Sequence, residues 1–407
     1  MPDRPKYSVI IPSRNGCKYL PYAIRSVLEQ RFENFELIVS DNHSGDDTWA
    51  FLSTLSDPRL RIFQPTDPLS LARHFEFAIS QAKGDWITVL GDDDSLQPYF
   101  FNLAEKLTLA SPHPVISSPR AYYFWPGCEI FYSDAVVSYA ALRKTSTRCS
   151  LSRLLRLLLF PGYYFEEPQF YTGTLFRSEI YKDIKNQQGG VVFKSPIFDA
   201  NSVSLIFKQT PRYTFSHIPL AWIGSSPKST GFAQSDAAKN SGDSQKMVND
   251  FDALNLKDKI LTNPRFPFST YIHNVDAYFL EAFIQVHSES SSGWATILKF
   301  KPAIYLLFGK IYKDYAKETA PGVREAYEKT FAANGLNLLL LGVISRLISF
   351  IYTIEKLIRK PFLLLKRLLA RDSLRPKAVF SSNLRAEFPT ILHASAKSKD
   401  LYDKKLS

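Results

Sequence analysis

The first 120 residues alternate between short apolar runs and segments with helical spacing, and this alternation restricts the fold more than any other feature of the sequence. The apolar runs lie at 7–11, 35–39, 60–63 and 86–90, and segments with helical spacing at 18–30, 48–55 and 69–82 separate them. Strands that alternate with helices of this length are typical of right-handed βαβ units. We therefore predict an α/β fold with a mostly parallel sheet flanked by helices.

The rest of the chain changes character twice. Residues 121–235 are less regular and rich in Tyr, Phe and Pro, which suggests a second, α+β half of the same domain. Residues 250–377 have helical spacing and predict an added C-terminal helical region, interrupted by Pro361. We expect residues 381–407 to be a flexible tail.

Composition and charge exclude several classes of protein. The 407 residues are 45% hydrophobic and 22% charged, which is ordinary globular usage, and 50 Lys and Arg against 39 Asp and Glu give a net charge of +11 that favours anionic partners. Three scattered cysteines argue against a disulfide framework or a Cys-based zinc site and favour a reducing compartment. There is no secretory signal and no uncharged run of about 18 residues, so we expect a soluble, cytoplasmic protein.

Polar clusters follow three of the predicted strands directly, at 12–15, 41–44 and 91–94. In an open parallel sheet, ligands bind beyond the carboxyl ends of the strands. We expect the three clusters to meet at one edge of the sheet and to form a binding site there.

The third cluster contains three successive carboxylates, Asp92, Asp93 and Asp94, which repel one another and require a counter-charge. Hard divalent cations such as Mg²⁺ and Mn²⁺ take oxygen ligands of this kind together with substrate phosphates. A solvated turn or a helix N-cap before Pro98 is the alternative interpretation. Asp41 likewise fits either an Asx-turn or a carboxylate that accepts hydrogen bonds from a nucleobase or ribose.

The segment YSVIIPSRNGCKYLPYAIRSVLEQRFENFELIVSDNHSGDDT, followed by AKGDWITVLGDDDSL, strongly resembles glycosyltransferase family 2. The resemblance implies the GT-A fold, with residues 1–120 as the nucleotide-sugar-binding half and residues 121–235 as the acceptor-binding half. It also implies an inverting transfer of a sugar from a nucleotide-diphosphate donor to a hydroxyl acceptor, in bacterial cell-surface glycan or polysaccharide synthesis. The implied cofactor is Mn²⁺ or Mg²⁺, and the implied acceptor is a glycan or a lipid-linked glycan.

The resemblance also assigns site residues. The positions that match the family's donor-binding residues are Pro12, Ser13, Asn15, Asp41, Asn42, Arg73, Asp92 and Asp93. Asp94 and Asp92 correspond to metal ligands in the family's DxD element. Two positions depart from the family pattern, because Asn42 replaces a common second Asp and His74 replaces a frequent Asn beside Arg73.

Inversion requires a base that takes the acceptor proton. In the family this base is an acid on the acceptor side, roughly a hundred residues after the DxD element, and the resemblance makes Asp199 the candidate. A plain N-cap for the following helix is the alternative, and Glu166 and Glu167 are reserve candidates. Thr172 and Gly173 resemble the family's tight turn beside the acceptor, and Lys228 lies in a segment that could close over the diphosphate.

The basic C-terminal region predicts a further partner. Between Arg346 and Lys377 there are nine Lys and Arg against two acids, and a Leu-rich face lies opposite most of the basic residues at 100° per residue. Such a helix suits an anionic membrane surface through residues 336–377, which would make the protein peripheral at the inner face of the membrane. Packing on the protein's own core and an oligomer contact are the alternatives.

Other functions fit the sequence less well. A sugar-phosphate nucleotidyltransferase needs a Gly-rich phosphate loop after the first strand, and IPSRNGCKYL lacks one. A dehydrogenase and a P-loop kinase are disfavoured because GxGxxG and GxxxxGK[ST] are missing. Nucleic acid is not expected, because the basic charge lies in a Leu-rich helix rather than among aromatic residues. A catalytically silent module that retains the nucleotide site stays open.

Overall fold

The computed structural model describes residues 4–128, 145–229, 242–260, 265, 275–288, 296–318, 321–369 and 388–406. Its main feature is an eight-stranded sheet with the strand order β3-β2-β1-β4-β9-β6-β10-β8, beside a three-stranded sheet with the order β5-β11-β7. The strands are β1 (Tyr7–Ser13), β2 (Phe35–Asp41), β3 (Leu60–Phe63), β4 (Trp86–Val89), β5 (Ser95–Leu96), β6 (Val115–Ser117), β7 (Ala121–Phe124), β8 (Ser146–Cys149), β9 (Thr174–Arg177), β10 (Arg212–Phe215) and β11 (Ala221–Ser225).

Helices cover both faces of the main sheet and form a C-terminal extension. The α-helices are α1 (Leu20–Leu28), α2 (Thr48–Ser53), α3 (Leu71–Ser80), α4 (Phe100–Ala110), α5 (Ser150–Leu159), α6 (Ser178–Gln187), α7 (Phe198–Gln209), α8 (Gly242–Lys257), α9 (Val275–Ser288), α10 (Lys301–Phe308), α11 (Tyr312–Tyr315), α12 (Pro321–Ala333), α13 (Leu338–Leu369) and α14 (Ile391–Leu406). A 3₁₀ helix spans Pro161–Glu166. The predicted α/β architecture with added C-terminal helices is confirmed.

The first four strands in the chain build the parallel half of the sheet. β1 pairs in parallel with β2 on one side and β4 on the other, and β3 joins β2 in parallel. β9 inserts antiparallel between β4 and β6, and β8 closes the far edge antiparallel to β10. The sheet is therefore mixed, and its parallel part coincides with the region of alternating strands and helices in the sequence.

Alternate residues of β1 face two different hydrophobic cores. Val9 and Ile11 pack with α1 and α4, whereas Ile10 belongs to the core that includes α3, α7 and α9. All seven residues of β1 are buried. A strand covered on both faces needs apolar side chains on both, which explains why 9–11 are apolar in succession.

The prediction of a flexible tail at 381–407 is wrong for residues 388–406. Phe388 and the helix α14 pack against α1, β5 and β11, and Phe388, Ile391 and Ala394 join Tyr19, Tyr123, Trp125 and Trp222 in a third hydrophobic cluster. The sequence around Ile391 has few strong apolar positions, and Phe388 and Ile391 are buried ones.

Two further differences concern the C-terminal helices. The predicted helical region at 250–377 consists of several separate helices, α8 to α13, and α13 continues through Pro361, where an interruption was predicted. In the described residues no single helix is both long and apolar enough to cross a membrane, although α12 and the Leu338–Ile351 part of α13, which are bent by 99° relative to one another, pass that test as a pair.

Candidate functional site

The carboxyl ends of β1, β2 and β4 meet, as the polar clusters in the sequence suggest. Ser13, the last residue of β1, lies opposite Asp41 in the β1–β2 register. The backbone N–H of Asn42 donates to the carbonyl oxygen of Ser13 at 2.9 Å, and the hydroxyl of Ser13 donates to Oδ2 of Asp92 at 2.7 Å. Ser13 therefore connects the second and third polar clusters at one edge of the sheet.

The turn after β1 is fitted to this edge by Asn15 and Gly16. Asn15 adopts a left-handed backbone conformation with φ of 56°, its N–H donates to Oγ of Ser44, and its Oδ1 accepts the N–H of Gly45 at 2.7 Å. A Cβ atom on Gly16 would lie 2.3 Å from Oδ2 of Asp92, so only glycine allows this approach. The loops after β1 and β2 therefore form one hydrogen-bonded rim.

Asp41 lies at this rim but its carboxylate is buried and occupied by protein donors. Oδ1 accepts the hydroxyl of Ser44, and Oδ2 accepts Nε2 of Gln64 at 2.9 Å. Only the contact with Ser44 is local, since Gln64 lies 23 positions later in the chain. Contact of Asp41 with a nucleobase or ribose stays a prediction.

Asn42 and Arg73 do not join the rim through their side chains. The amide of Asn42 bonds to the backbone of Leu69 at both ends: Nδ2 donates to its carbonyl oxygen at 2.8 Å, and Oδ1 accepts its N–H at 2.9 Å. The guanidinium of Arg73 binds Glu76 at 2.8 Å and the carbonyl oxygen of Phe193 at 3.1 Å. Arg73 also lines a separate surface cleft of about 310 Å³ to which none of Asp41, Asp92, Asp93 and Asp94 contributes.

His74 has a structural environment. It is buried on α3, its Nε2 lies 2.9 Å from the hydroxyl of Ser40, and burial lowers its pKa to about 3. The imidazole is therefore neutral at physiological pH. It ties α3 to β2 behind the rim.

Asp94 is the most firmly fixed of the three successive aspartates. Its Oδ2 accepts the N–H of Gly91 at 2.8 Å and the hydroxyl of Thr172, its Oδ1 accepts the N–H of Gly224 at 2.7 Å, and the hydroxyl of Tyr171 also bonds to its carboxylate. A carboxylate offers about four acceptor positions, so these donors fill them. Asp94 thereby joins the N-terminal half of the sheet to the turn before β9 and to β11.

Asp93 makes a second connection between the same parts of the chain. Its carbonyl oxygen accepts Nε1 of Trp125 at 2.9 Å, and its Oδ2 accepts the N–H of Ser226 at 3.1 Å. β11 passes so close that a Cβ atom on Gly224 would lie 1.6 Å from the carbonyl oxygen of Asp93. No larger residue fits at 224 without moving the loop that carries Asp92, Asp93 and Asp94, which we call the aspartate loop.

The electrostatics of this loop favour a bound cation. Burial, with the negative charge of Asp94 acting in the same direction, raises the pKa of Asp92 to about 6, and burial and the two neighbouring acids raise the pKa of Asp93 well above its ordinary value. Lys228 is the cation whose charge lowers the pKa of Asp92, and its Nζ donates to the carbonyl oxygen of Asn15. A bound cation would add a second positive charge to that of Lys228 and would stabilise the ionised form of these clustered carboxylates.

The carboxylate oxygens of this loop are the kind of ligand that a hard divalent cation prefers. Their arrangement fits such a cation only in part. Asp92 is half-buried and is the most accessible of the three acids, whereas Asp94 would have to release a hydroxyl donor, from Thr172 or Tyr171, to bind a metal. Among the residues described, no group of three His, Cys, Asp or Glu side chains encloses a metal position. Mg²⁺ is commonly held by one or two carboxylates plus substrate phosphates, so a protein cage is not required.

Asp199 lies in the first turn of α7, and its Oδ2 accepts the hydroxyl of Tyr164 at 3.4 Å. Tyr171, which bonds to Asp94, packs edge-on against Phe198, the residue before Asp199, at 5.8 Å between centroids. Burial raises the pKa of Asp199, while hydrogen bonding to the N–H of Ala200 and the charge of Arg120 lower it. A carboxylate with a raised pKa in this position suits a general base.

Arg120 is a residue that the sequence reasoning missed. It follows β6, its Nη2 donates to Oε1 of Gln169 at 2.5 Å, and its charge lowers the pKa values of Asp199, Tyr164 and Tyr171. The reserve candidates Glu166 and Glu167 instead form ion pairs with Arg156 and Arg153, and Glu167 also accepts the hydroxyl of Tyr213. No periodic or motif signal distinguishes Arg120 from a surface arginine in the sequence.

Comparisons with known proteins find sequence similarity over the N-terminal part of the chain. Residues 8–139 match the family model described as Glycosyl transferase family 2. A GalNAc(5)-diNAcBac-PP-undecaprenol beta-1,3-glucosyltransferase from Campylobacter jejuni is 37% identical over 95 residues, which cover 23% of this chain and 31% of that protein. The Escherichia coli protein WfaP, a UDP-Glc:alpha-D-GlcNAc-diphosphoundecaprenol beta-1,3-glucosyltransferase, is 35% identical over 143 residues, which cover 34% of this chain and 55% of that protein.

Among solved structures, S. aureus TarS 1–349 in complex with UDP-GlcNAc aligns with 81% of this chain and 89% of its own, at 16% identity and a TM-score of 0.45. The chain spans only about a third to a half of the length of these two relatives. The α/β architecture with added C-terminal helices agrees with the GT-A fold that the resemblance in the sequence implies.

Proposed function

We propose that this chain, whose residues 8–139 match the family model of glycosyl transferase family 2, is a metal-dependent inverting glycosyltransferase that uses a nucleotide-diphosphate sugar. The observation that carries the proposal is the hydrogen-bonded rim at the ends of β1, β2 and β4, in which Ser13 joins Asp92 to the loop after β2. This rim presents donors and carboxylates at the edge of a parallel sheet where nucleotides bind.

The donor would lie along the rim. We assign the turn of Pro12, Ser13 and Asn15 to the nucleotide, Asp41 to its base or ribose, and Asp92 and Asp93 to the ribose or sugar. Asn42 and Arg73 are left out of this assignment because their side chains bind Leu69 and Glu76 instead.

Asp92 and Asp94 would hold Mn²⁺ or Mg²⁺ together with the phosphate oxygens of the donor. When bound, the metal would supply Lewis-acid stabilisation of the departing diphosphate. Lys228 donates to the carbonyl oxygen of Asn15 in the turn after β1, and its ammonium group would add a positive charge near the diphosphate.

The acceptor would approach from the side of Tyr171 and Asp199. Asp199 takes the proton of the acceptor hydroxyl as that oxygen attacks the anomeric carbon from the face opposite the diphosphate, which inverts the configuration. Arg120 keeps the pKa of Asp199 from rising further and so keeps a fraction of it ionised. The relatives' names, which include sugars linked to undecaprenol diphosphate, support a lipid-linked glycan as the acceptor class and bacterial glycan synthesis as the process.

The proposal is tested by incubating the purified chain with a panel of nucleotide sugars and Mn²⁺ or Mg²⁺ and measuring release of nucleoside diphosphate. We expect release from one donor class, and Asp199→Asn should lower turnover by about 100-fold or more while donor binding stays within a few-fold. Glu166→Gln is the matched control, since Glu166 is ion-paired at the surface and should retain activity. Binding of nucleotide without release from any donor would identify a silent module instead, and full activity of Asp199→Asn would remove Asp199 as the base.

A further inference from the structure

Helix α13 exposes a continuous apolar stripe. Six of its large apolar side chains are between 45% and 84% exposed: Leu339, Leu340, Val343, Leu347, Phe350 and Ile351. At about 100° per residue these six positions fall within roughly 120° of the helix circumference. Contiguous exposed apolar surface of this kind marks an interaction site rather than ordinary surface.

The opposite side of the same helix is already occupied. Leu341 is fully buried, and Gly309 lies so close to the helix that a Cβ atom there would approach Ile344 to 2.9 Å and Ile348 to 3.1 Å. These contacts fix the rotation of α13 against α10 and α11. The stripe therefore faces outward because the other face is docked, and α13 cannot bury it by turning about its axis.

The charge of α13 indicates what covers the stripe. Its sequence contains six basic residues, Arg346, Lys356, Arg359, Lys360, Lys366 and Arg367, and one acid, Glu355, which leaves a net charge of +5. Two copies that met through this helix would bring two such charges together, which is unfavourable. An anionic lipid surface complements both properties, since it accepts apolar side chains and attracts Lys and Arg.

We propose that α13 is a membrane-surface helix, which inserts its apolar stripe into the interface of an anionic bilayer and lies along it. The helix has 32 residues and is therefore about 48 Å long, enough to make an extended contact with the lipid headgroups. This proposal concerns the location of the protein and does not rest on the transfer reaction. It would place the enzyme at the surface on which a lipid-linked acceptor is carried.

The test is flotation of the full chain with vesicles of phosphatidylcholine alone or with about 30% phosphatidylglycerol. We expect binding to the anionic vesicles at about 50 mM salt, weaker binding at about 500 mM, and little binding to phosphatidylcholine alone. The combined variant Leu347→Gln, Phe350→Gln and Ile351→Gln should bind at least tenfold less, and because these side chains are exposed and Gln is a good helix former the fold should be kept.

A matched control carries the same change at three exposed leucines on other helices, Leu109→Gln, Leu155→Gln and Leu256→Gln, and should bind vesicles like the unmodified chain. Release of nucleoside diphosphate from a soluble donor should be unchanged in both variants, which separates this proposal from the proposed reaction. Unchanged vesicle binding by the α13 variant would overturn the proposal. So would a dimer in light scattering that dissociates in that variant while neither protein binds vesicles, because the stripe would then be an interface between copies.

Discussion

Arg120 illustrates how a single side chain can tune the proposed chemistry without belonging to the aspartate loop. Its guanidinium contacts the neutral Gln169, and its charge acts on Asp199, Tyr164 and Tyr171. Burial pushes the pKa of Asp199 up and Arg120 pushes it down, so the fraction of ionised base at a given pH depends on both.

We predict that Arg120→Gln moves the acidic limb of the pH profile of kcat/KM to higher pH. The base must be ionised to act, and loss of the positive charge raises the pKa of Asp199, so activity is lost first at low pH and recovers as pH rises. Rates of nucleoside diphosphate release measured across pH would show the shift. Arg25→Gln, at an exposed arginine on α1, is the control and should leave the limb in place, and an unmoved limb in Arg120→Gln would show that Arg120 does not act on the base.

At the scale of elements, α14 supports the aspartate loop from behind. Trp125 donates to the carbonyl oxygen of Asp93 and packs against Tyr19 and Tyr123 at 4.9 and 5.0 Å between centroids. The hydroxyl of Tyr123 donates to the carbonyl oxygen of Phe388 at 3.0 Å, just before α14 begins. The last part of the chain is therefore connected to the proposed metal site through one aromatic cluster.

Ile391→Ala should accordingly destabilise the protein by about 2–4 kcal/mol, because Ile391 is fully buried in this cluster. Chemical unfolding monitored by tryptophan fluorescence measures the change, since Trp125 and Trp222 belong to the same cluster. Lys397→Ala on the exposed face of α14 should change stability by less than about 0.5 kcal/mol. Equal stability of Ile391→Ala and the unmodified chain would mean that α14 does not dock as described.

The elements that could be predicted from the sequence are those with strong local periodicity. β1 to β4 are apolar runs, and the helices between them have helical spacing, so the local pattern agrees with the tertiary contacts. The meeting of the polar residues at the strand ends follows from the topology of a parallel sheet. The docking of α14 could not be predicted, because Ile391 and Ala394 gain their burial from aromatic residues that lie far earlier in the chain, the nearest of them at Trp222. The role of Arg120 and the hydrogen bond between Asn42 and Leu69 could not be predicted either, because both depend on side-chain contacts between residues far apart in the chain.

At the scale of the whole molecule, Asp93 and Asp94 join the parallel part of the sheet to residues that come after position 120. Asp94 bonds to Thr172 and Gly224, and Asp93 bonds to Ser226 and Trp125, so later parts of the chain hold the loop that would bind donor and metal. A change at these later residues should therefore affect donor binding, as linked sites do. The buried acids cost stability, which a bound cation and diphosphate would offset.

Isothermal titration calorimetry tests most directly whether the strand-end carboxylates and a divalent cation together hold a nucleotide diphosphate. We predict that the unmodified chain binds a nucleoside diphosphate or its sugar with Mn²⁺ and at least tenfold more weakly without it, and that Asp92→Asn loses this dependence while Asp67→Asn, at an exposed acid, keeps it. Binding that is equally strong with and without Mn²⁺, or that is unaffected by Asp92→Asn, would contradict the account.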